Sequence, residues 1–396
     1  MIAIAFLTLA IWLTLIFARG YFWQARQTDE LLTPVSAERA RNIRVTAIVP
    51  ARDEAETIAR CVTSLLSQDC EVAFDVVVVD DQSSDGTGDI ARAAGQSANA
   101  AHRLTVLRGE DPPPGWTGKI NAMRAGFAFV EARAHMDREP EGPLSMPDYV
   151  LFTDADIEHA PDTLARLVGG AEKGGLTLVS LMAKLACDSR AERWLVPAFV
   201  YFFQMLYPFV WVNDSRRRMA AAAGGCMLVR RDALVRAGGL EVIRDALIDD
   251  CALGAAMKKT GPVFLGLTRR VKSLRPYPHL ADIRRMVVRS AYAELDYSPL
   301  KLAGATLGMA LTFIAPAVLA GHADPTTGMI ALAAYAMMVL SYRPMLRFYG
   351  LSGWRGLFLP VVAGFYMAFT LESAFVHMRG RGGAWKGRYQ AAGSAR

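Results

Sequence analysis

The residues best suited to chemistry are carboxylates standing at the ends of short apolar runs. The densest group lies in YVLFTDADIEHAPD, where a hydrophobic strand runs into Asp154-Ala155-Asp156. Residues two apart on an extended chain point the same way, so the two carboxylates face one space. Such a pair suits a hard cation: Mg2+ or Mn2+ takes one or two protein carboxylates and fills its shell with phosphate oxygens and water. Where a diphosphate departs, that metal neutralises the charge developing on it. A lone DxD is weak, but this one follows two acidic strand tips upstream.

The first of those tips is VTAIVPARDEAETIARCVTSLL, a strand entering Pro50, Ala51, Arg52, Asp53 and Glu54 before an amphipathic helix. A polar turn there can offer backbone groups and a carboxylate to a nucleobase and ribose, next to a positive helix end. Asp53 and Glu54 read equally as ordinary first-turn acids. The second tip is VVVVDDQSSDGT. Asp81 is the candidate for a ribose or base contact, and Asp85 reads as part of the helix-capping turn. In GWTGKINAMRAG, Gly118-Lys119 is not a P-loop, because Ile120 stands where Ser or Thr is needed. Lys119 at a helix start can still direct a charge at a diphosphate, or be a solvated lysine. Downstream, Gly224-Gly225 suits close approach by a sugar or acceptor, and Asp249-Asp250 reads either as helix capping or as a pair with one general base.

The elements that position these groups read as an α/β domain with a mainly parallel sheet. Val/Ile-rich runs at 45–49, 74–79, 104–107, 149–152 and 176–181 alternate with helical patterns at 54–66, 87–94, 119–132 and 161–171. Ligands of open α/β sheets bind at the C-terminal strand ends, where the charges gather. The hydrophobic fraction of 53% beside 21% charged residues suggests that this domain is joined to membrane segments. The net charge of +6 comes without a long basic tract or interleaved aromatics, so a nucleic-acid partner is not expected. Five cysteines with no CxxC spacing indicate neither a disulfide framework nor a zinc site.

Residues 2–18 are uncharged and followed by Arg19 and Arg26, which predicts an N-terminal anchor (1–23) ending in the cytoplasm. Apolar segments return at 302–320, 329–340 and 357–375, the middle one short for a span. The loop GHADPTTG has no Lys or Arg and is placed outside; 343–355, with three Arg, is placed inside. The basic stretch MRGRGGAWKGR, running from Met378 into the tail (379–396), conflicts with a complete last crossing, and Pro360, Gly364 and Glu372 fit a re-entrant or broken helix, so the last crossing stays open. The stretch 193–213 reads as a buried core helix or, from its Trp and Tyr content, as an in-plane segment beside a lipid substrate; 276–300 reads as a surface amphipathic helix. The expected domain spans 40–275, with membrane segments at 301–378. The protein would be a multi-pass inner-membrane protein with that domain facing the cytoplasm.

In order, PARDE, DDQSSDGT, GKINAMRAG, TDAD, GGCMLVRR and DD-x-x-L resemble the motif series of family 2 glycosyltransferases with the Rossmann-like GT-A fold, over roughly residues 44 to 270. SLLSQD, GWTGK, TDADIEHAPD, LVSLMAKL, PAFVYFFQMLYPFVWVND and LRPYPHLADIRRMVVRSAYAEL resemble the hopene-associated subgroup, extending the match to about residue 320. The segment INAMRAG departs from that subgroup's Trp and Gln, which bears on the donor sugar. The processive synthases' Gln-x-x-Arg-Trp is missing after Asp250, so no polymer product is expected.

The resemblance implies inverting transfer of one sugar from a nucleotide-sugar, a UDP-sugar, to a membrane lipid in or near hopanoid synthesis. Pro50, Ala51, Arg52, Glu54 and Asp81 would bind the nucleotide, and Lys119 would sit near its diphosphate. Asp156 would bind Mg2+ or Mn2+, and Asp154 the metal or ribose. Gly224 and Gly225 would lie against the acceptor, Asp250 would deprotonate it, and Asp249 would orient it. A polyprenyl phosphate or glycerolipid acceptor, or a non-catalytic lipid-binding protein on the same fold, are the alternatives.

Overall fold

The computed structural model describes residues 1–136, 146–379, 384–385 and 388–389. Beyond Arg379, apart from the antiparallel pair Ala384–Trp385 and Arg388–Tyr389, the basic tail lies outside the described residues. The chain forms two units. One comprises Gln27–Leu185 and Val212–Arg275; the other comprises Met1–Arg26, Ala186–Trp211 and Pro276–Arg396.

The first unit is built on an eight-stranded sheet: β1 (Arg44–Ala51), β2 (Ala73–Asp80), β3 (Leu104–Arg108), β4 (Tyr149–Phe152), β5 (Ile157–His159), β6 (Leu178–Lys184), β7 (Met227–Arg230) and β8 (Val263–Ser273), in the order β3-β2-β1-β4-β7-β6-β8-β5. The β3-β2-β1-β4 half is parallel, as is β6 with β8; β7 and β5 run antiparallel to their neighbours. Residues 45–51 of β1 are all buried, which is why the central strands read as continuous Val/Ile runs rather than alternating ones. Pro50 is tolerated in this central strand because pairing with β4 ends at Ile48 while only the β2 ladder continues.

Helix Ile58–Leu66 buries Ile58, Cys61, Val62, Leu65 and Leu66, the i, i+3, i+4 stripe of a helix laid on a sheet. It starts four residues later than the pattern at 54–66 suggests. Helix Thr163–Gly174 ends at Gly175, whose φ of 56° closes the C-terminal cap.

The second unit holds the apolar helices. Among the described residues three are long and apolar enough to cross a membrane: Pro299–Leu319, Pro325–Phe348 and Gly353–Met378. Ile2–Phe17 is apolar but has only 16 residues. The middle helix is 24 residues long, so the short apolar window at 329–340 underestimates it. At its polar end Ser341 Oγ meets the Tyr201 hydroxyl at 2.7 Å inside the same unit. The last helix runs unbroken from Leu359 to Met378, which corrects the broken-helix expectation, and Glu372 within it pairs with Arg284.

Helix Arg190–Leu206 opens with a Ser189/Glu192 capping box and belongs to this unit rather than to the sheet domain. It is a packed helix, with Leu195, Val196, Val200, Tyr201 and Gln204 buried and Phe202 against Phe313 and Tyr366. This packing matches the buried-helix reading of 193–213 over most of its length. Helix Leu280–Ser290 buries Ile283 and Val287 and carries Arg284, Arg285 and Arg289, the amphipathic pattern expected of 276–300.

Candidate active site

Every site residue singled out from the sequence lies in the sheet unit. The tips of β1 and β2 are laced together. The Asp81 N–H donates to Ala51 O at 2.7 Å, and Arg52 Nη1 donates to Asp81 O at 2.6 Å with Asp81 Oδ2 at 3.7 Å. Asp53 adopts a φ of 50°, its N–H donating to Ser83 Oγ and its carboxylate accepting from the Ser84 N–H at 2.8 Å. Asp85 accepts from the N–H groups of Ala55 and Thr87, which makes it part of the turn. Asp81 is 1% exposed. Pro50 and Ala51 are buried in β1, so they have only backbone to offer a ligand.

The Asp154-Ala155-Asp156 triplet is a turn rather than an extended tip, closed by the Ile157 N–H to Asp154 O at 3.2 Å. Its two carboxylates consequently take different cations. Lys119, second residue of helix Gly118–Met136, places Nζ 2.8 Å from Asp154 Oδ1 and 2.9 Å from Asp249 Oδ2. Arg275, just past the end of β8, spans Asp156 Oδ2 at 2.8 Å and Glu54 Oε1 at 2.5 Å. Sequence reasoning gave Arg275 no role, although it opens the RPYPH part of a recognised motif.

Asp249 and Asp250 begin helix Asp249–Lys258, whose cap position is Ile248, so neither acid is the N-cap. Asp250 Oδ2 accepts from the Gly224 N–H at 2.9 Å and Oδ1 from the Cys251 N–H at 2.8 Å. Burial, then the neighbouring Asp249 charge, pushes the Asp250 carboxyl up to about 6. Burial likewise raises Asp154 despite Lys119. Burial opposes the Lys119 charge, but Asp154 and Asp249 outweigh it and hold the ammonium above its ordinary range.

The adjacent glycines diverge. A Cβ on Gly224 would stand 3.4 Å from Lys119 Nζ and 3.5 Å from Asp250; one on Gly225 would meet Ala183 and Ile157 at 3.1 Å. The Gly225 carbonyl accepts from Thr153 Oγ1 at 2.7 Å, and that oxygen also meets His159 Nε2 at 2.9 Å. Burial pushes His159 down to about 4, so this layer beneath the site is uncharged at neutral pH.

Thus Asp154, Asp249, Asp250, Lys119 and Gly224 converge, and Asp156, two residues on, joins Glu54 through Arg275. Among the described residues no three His, Cys, Asp or Glu side chains form a protein-only metal cage. The donors at the turn are two oxygen carboxylates, which fits Mg2+ or Mn2+, ions that retain water and phosphate oxygens around one or two protein ligands.

The sheet order, with its cluster of carboxylates at the strand tips, is that of a GT-A glycosyltransferase fold. The chain belongs to glycosyl transferase family 21, whose model matches residues 143–378, and residues 46–237 match the model of glycosyl transferase family 2. Among solved structures it is similar to the mannosyltransferase PcManGT from Pyrobaculum calidifontis in complex with GDP-Man and Mn2+, with a TM-score of 0.52 and 20% identity, covering 95% of this chain and 98% of that one. Among curated proteins, the undecaprenyl-phosphate 4-deoxy-4-formamido-L-arabinose transferase of Salmonella choleraesuis is 24% identical over 133 residues, 33% of this chain and 34% of the relative. The chain therefore spans about a third of the length of the curated relatives it matches.

Proposed function

We propose that the protein is an inverting glycosyltransferase that moves one sugar from a nucleotide-sugar to the hydroxyl of a membrane lipid. The observation carrying this reading is Asp250, a carboxylate fixed by the Gly224 N–H and raised to about 6, beside a lysine bridging Asp154 and Asp249. A base of that strength is largely ionised at neutral pH yet still able to take a proton. Asp250 removes the acceptor's hydroxyl proton as the oxygen bonds to the anomeric carbon, and the bond from that carbon to the diphosphate oxygen breaks. Asp249 orients the acceptor and Lys119 faces the departing diphosphate. Asp81, Arg52, Glu54 and the backbone of Pro50 and Ala51 hold the nucleoside. Mg2+ or Mn2+ held by Asp156 and Asp154 would neutralise charge on the diphosphate.

The three long apolar helices support a membrane location, and the hopene-associated motifs support a hopanoid-linked lipid acceptor and a UDP-sugar donor. GDP-sugars are the competing donors, because the similar mannosyltransferase holds GDP-Man. A thermal-shift screen of UDP- and GDP-sugars with Mn2+, paired with mass spectrometry of membrane lipids with and without the protein, tests donor and acceptor together. Absence of any nucleotide-sugar turnover with lipid extracts would instead favour the non-catalytic alternative.

A second reading takes a polyprenyl phosphate as acceptor and rests on the undecaprenyl-phosphate relative. An acceptor phosphate needs no general base, so Asp250→Asn separates the two: transfer to a hydroxyl is lost, transfer to a phosphate persists.

A further inference from the structure

The Arg275 guanidinium supplies the positive charge beside Asp156, one of the two carboxylates of the Asp154 turn. It contacts Asp156 Oδ2 through Nε at 2.8 Å and Glu54 Oε1 through Nη2 at 2.5 Å. The side chains of Glu54 and Asp156 are 13% and 14% exposed, against 36% for Arg275. The carboxylates are thus mostly buried and the arginine is the more exposed partner of the three. The backbone beneath it is pinned, since the Leu274 N–H donates to Asp156 O at 2.7 Å and Ser273 pairs with Ile157 in the β5-β8 ladder. The side chain can change rotamer without moving that ladder.

We propose that Arg275 is a resident counter-cation that holds Asp156 and Glu54 together in the unloaded protein and is displaced from Asp156 when a divalent cation binds there. A metal ion bonded to an Asp156 oxygen and a guanidinium hydrogen-bonded to the same carboxylate would be like charges only a few ångströms apart, in a partly buried setting where screening is weak. Lys119 differs, because a second carboxylate, Asp249, at 2.9 Å keeps it paired when Asp154 turns to the metal. Arg275 is thus a positioning residue that sets the threshold for metal entry and keeps the empty site from collecting stray cations. This rests on the proposed role of Asp156 as a metal ligand.

The test is Mn2+ binding to the detergent-solubilised full chain, followed by electron paramagnetic resonance with and without UDP and requiring no turnover. Arg275→Gln should bind Mn2+ about two- to fivefold more tightly, the scale of losing one competing ion pair. Arg275→Lys, which keeps the charge, should stay close to the native affinity, and thermal unfolding of both variants reports on folding. Asp156→Asn should abolish binding in every background. If it does so while Arg275→Gln leaves Mn2+ affinity unchanged or weakened, the displacement idea is overturned and the metal site stands. If Asp156→Asn binds Mn2+ normally, or no form binds Mn2+ with or without UDP, the metal reading falls and this inference with it.

Discussion

The Gly224 backbone N–H donates to Asp250 Oδ2 at 2.9 Å, so the proposed base is aimed by a main-chain group that no side-chain substitution removes. With the Asp250 carboxyl at about 6, its ionised form predominates above that pH and is lost below it. The kcat/KM for transfer to a hydroxyl should therefore rise with pH through a midpoint near 6 and fall about tenfold per pH unit on the acid side. Asp250→Asn should lower transfer by roughly 10²- to 10⁴-fold with nucleotide-sugar affinity largely retained. A pH-independent rate between 5 and 8 would remove the assignment.

The same displacement has a stability consequence of opposite sign. The folded state binds this proton more tightly than the unfolded chain does, so its stabilising contribution is present at low pH and lost as pH rises through about 6. At neutral pH the strained carboxylate should cost about 1–3 kcal/mol, and Asp250→Asn should raise the melting temperature at pH 7.5 but hardly at pH 4. Calorimetry at the two pH values measures this directly.

Lys119 carries the next prediction. Replacing it with Met leaves Asp154 and Asp249 facing each other without their shared cation, which should cost about 3–5 kcal/mol and weaken nucleotide-sugar binding. Because the Lys119 charge holds Asp250 down, any residual activity should titrate with a midpoint above 6. A lysine serving only as a solubilising surface group would leave melting temperature, affinity and pH midpoint where they were.

Much of this arrangement is readable in the sequence because burial on both faces turns β1, β2 and β4 into unbroken apolar runs ending in acids. What escapes is set by other forces. β5 is three residues long, and the second half of β8, TRRVKS, is too charged to look like a strand. Its pairing is earned from Ile157 and His159 across the sheet, a non-local term. Arg275 is missed for the same reason: 119 residues separate it from Asp156, and only the β5-β8 ladder brings them together. The polar end of Pro325–Phe348, SYRPMLRF, resembles a loop until Tyr201 supplies a partner for Ser341. The two carboxylates of the Asp154 turn were legible as a pair, but their separation toward Lys119 and Arg275 depends on a turn hydrogen bond that spacing does not reveal.

Gly224 and Gly225 offer a comparison in which backbone strain plays no part, since neither has a positive φ. At Gly224 an added methyl would sit 3.4–3.5 Å from Lys119 and Asp250, ordinary contact distance, so Gly224→Ala should fold normally and even gain a few tenths of a kcal/mol through the unfolded chain, about 0.4–1 kcal/mol at most. That methyl nevertheless fills space between the lysine and the base, so transfer should fall while melting temperature holds. At Gly225 the methyl would press on Ala183 and Ile157 at 3.1 Å within the packed layer under the site, costing about 1–3 kcal/mol. Gly225→Ala should lower the melting temperature first, with activity following only as folded protein is lost. Measuring both variants for melting temperature and for turnover per folded molecule decides the matter: equal loss of turnover per folded molecule at the two positions would mean that Gly224 does not line the acceptor side of the site.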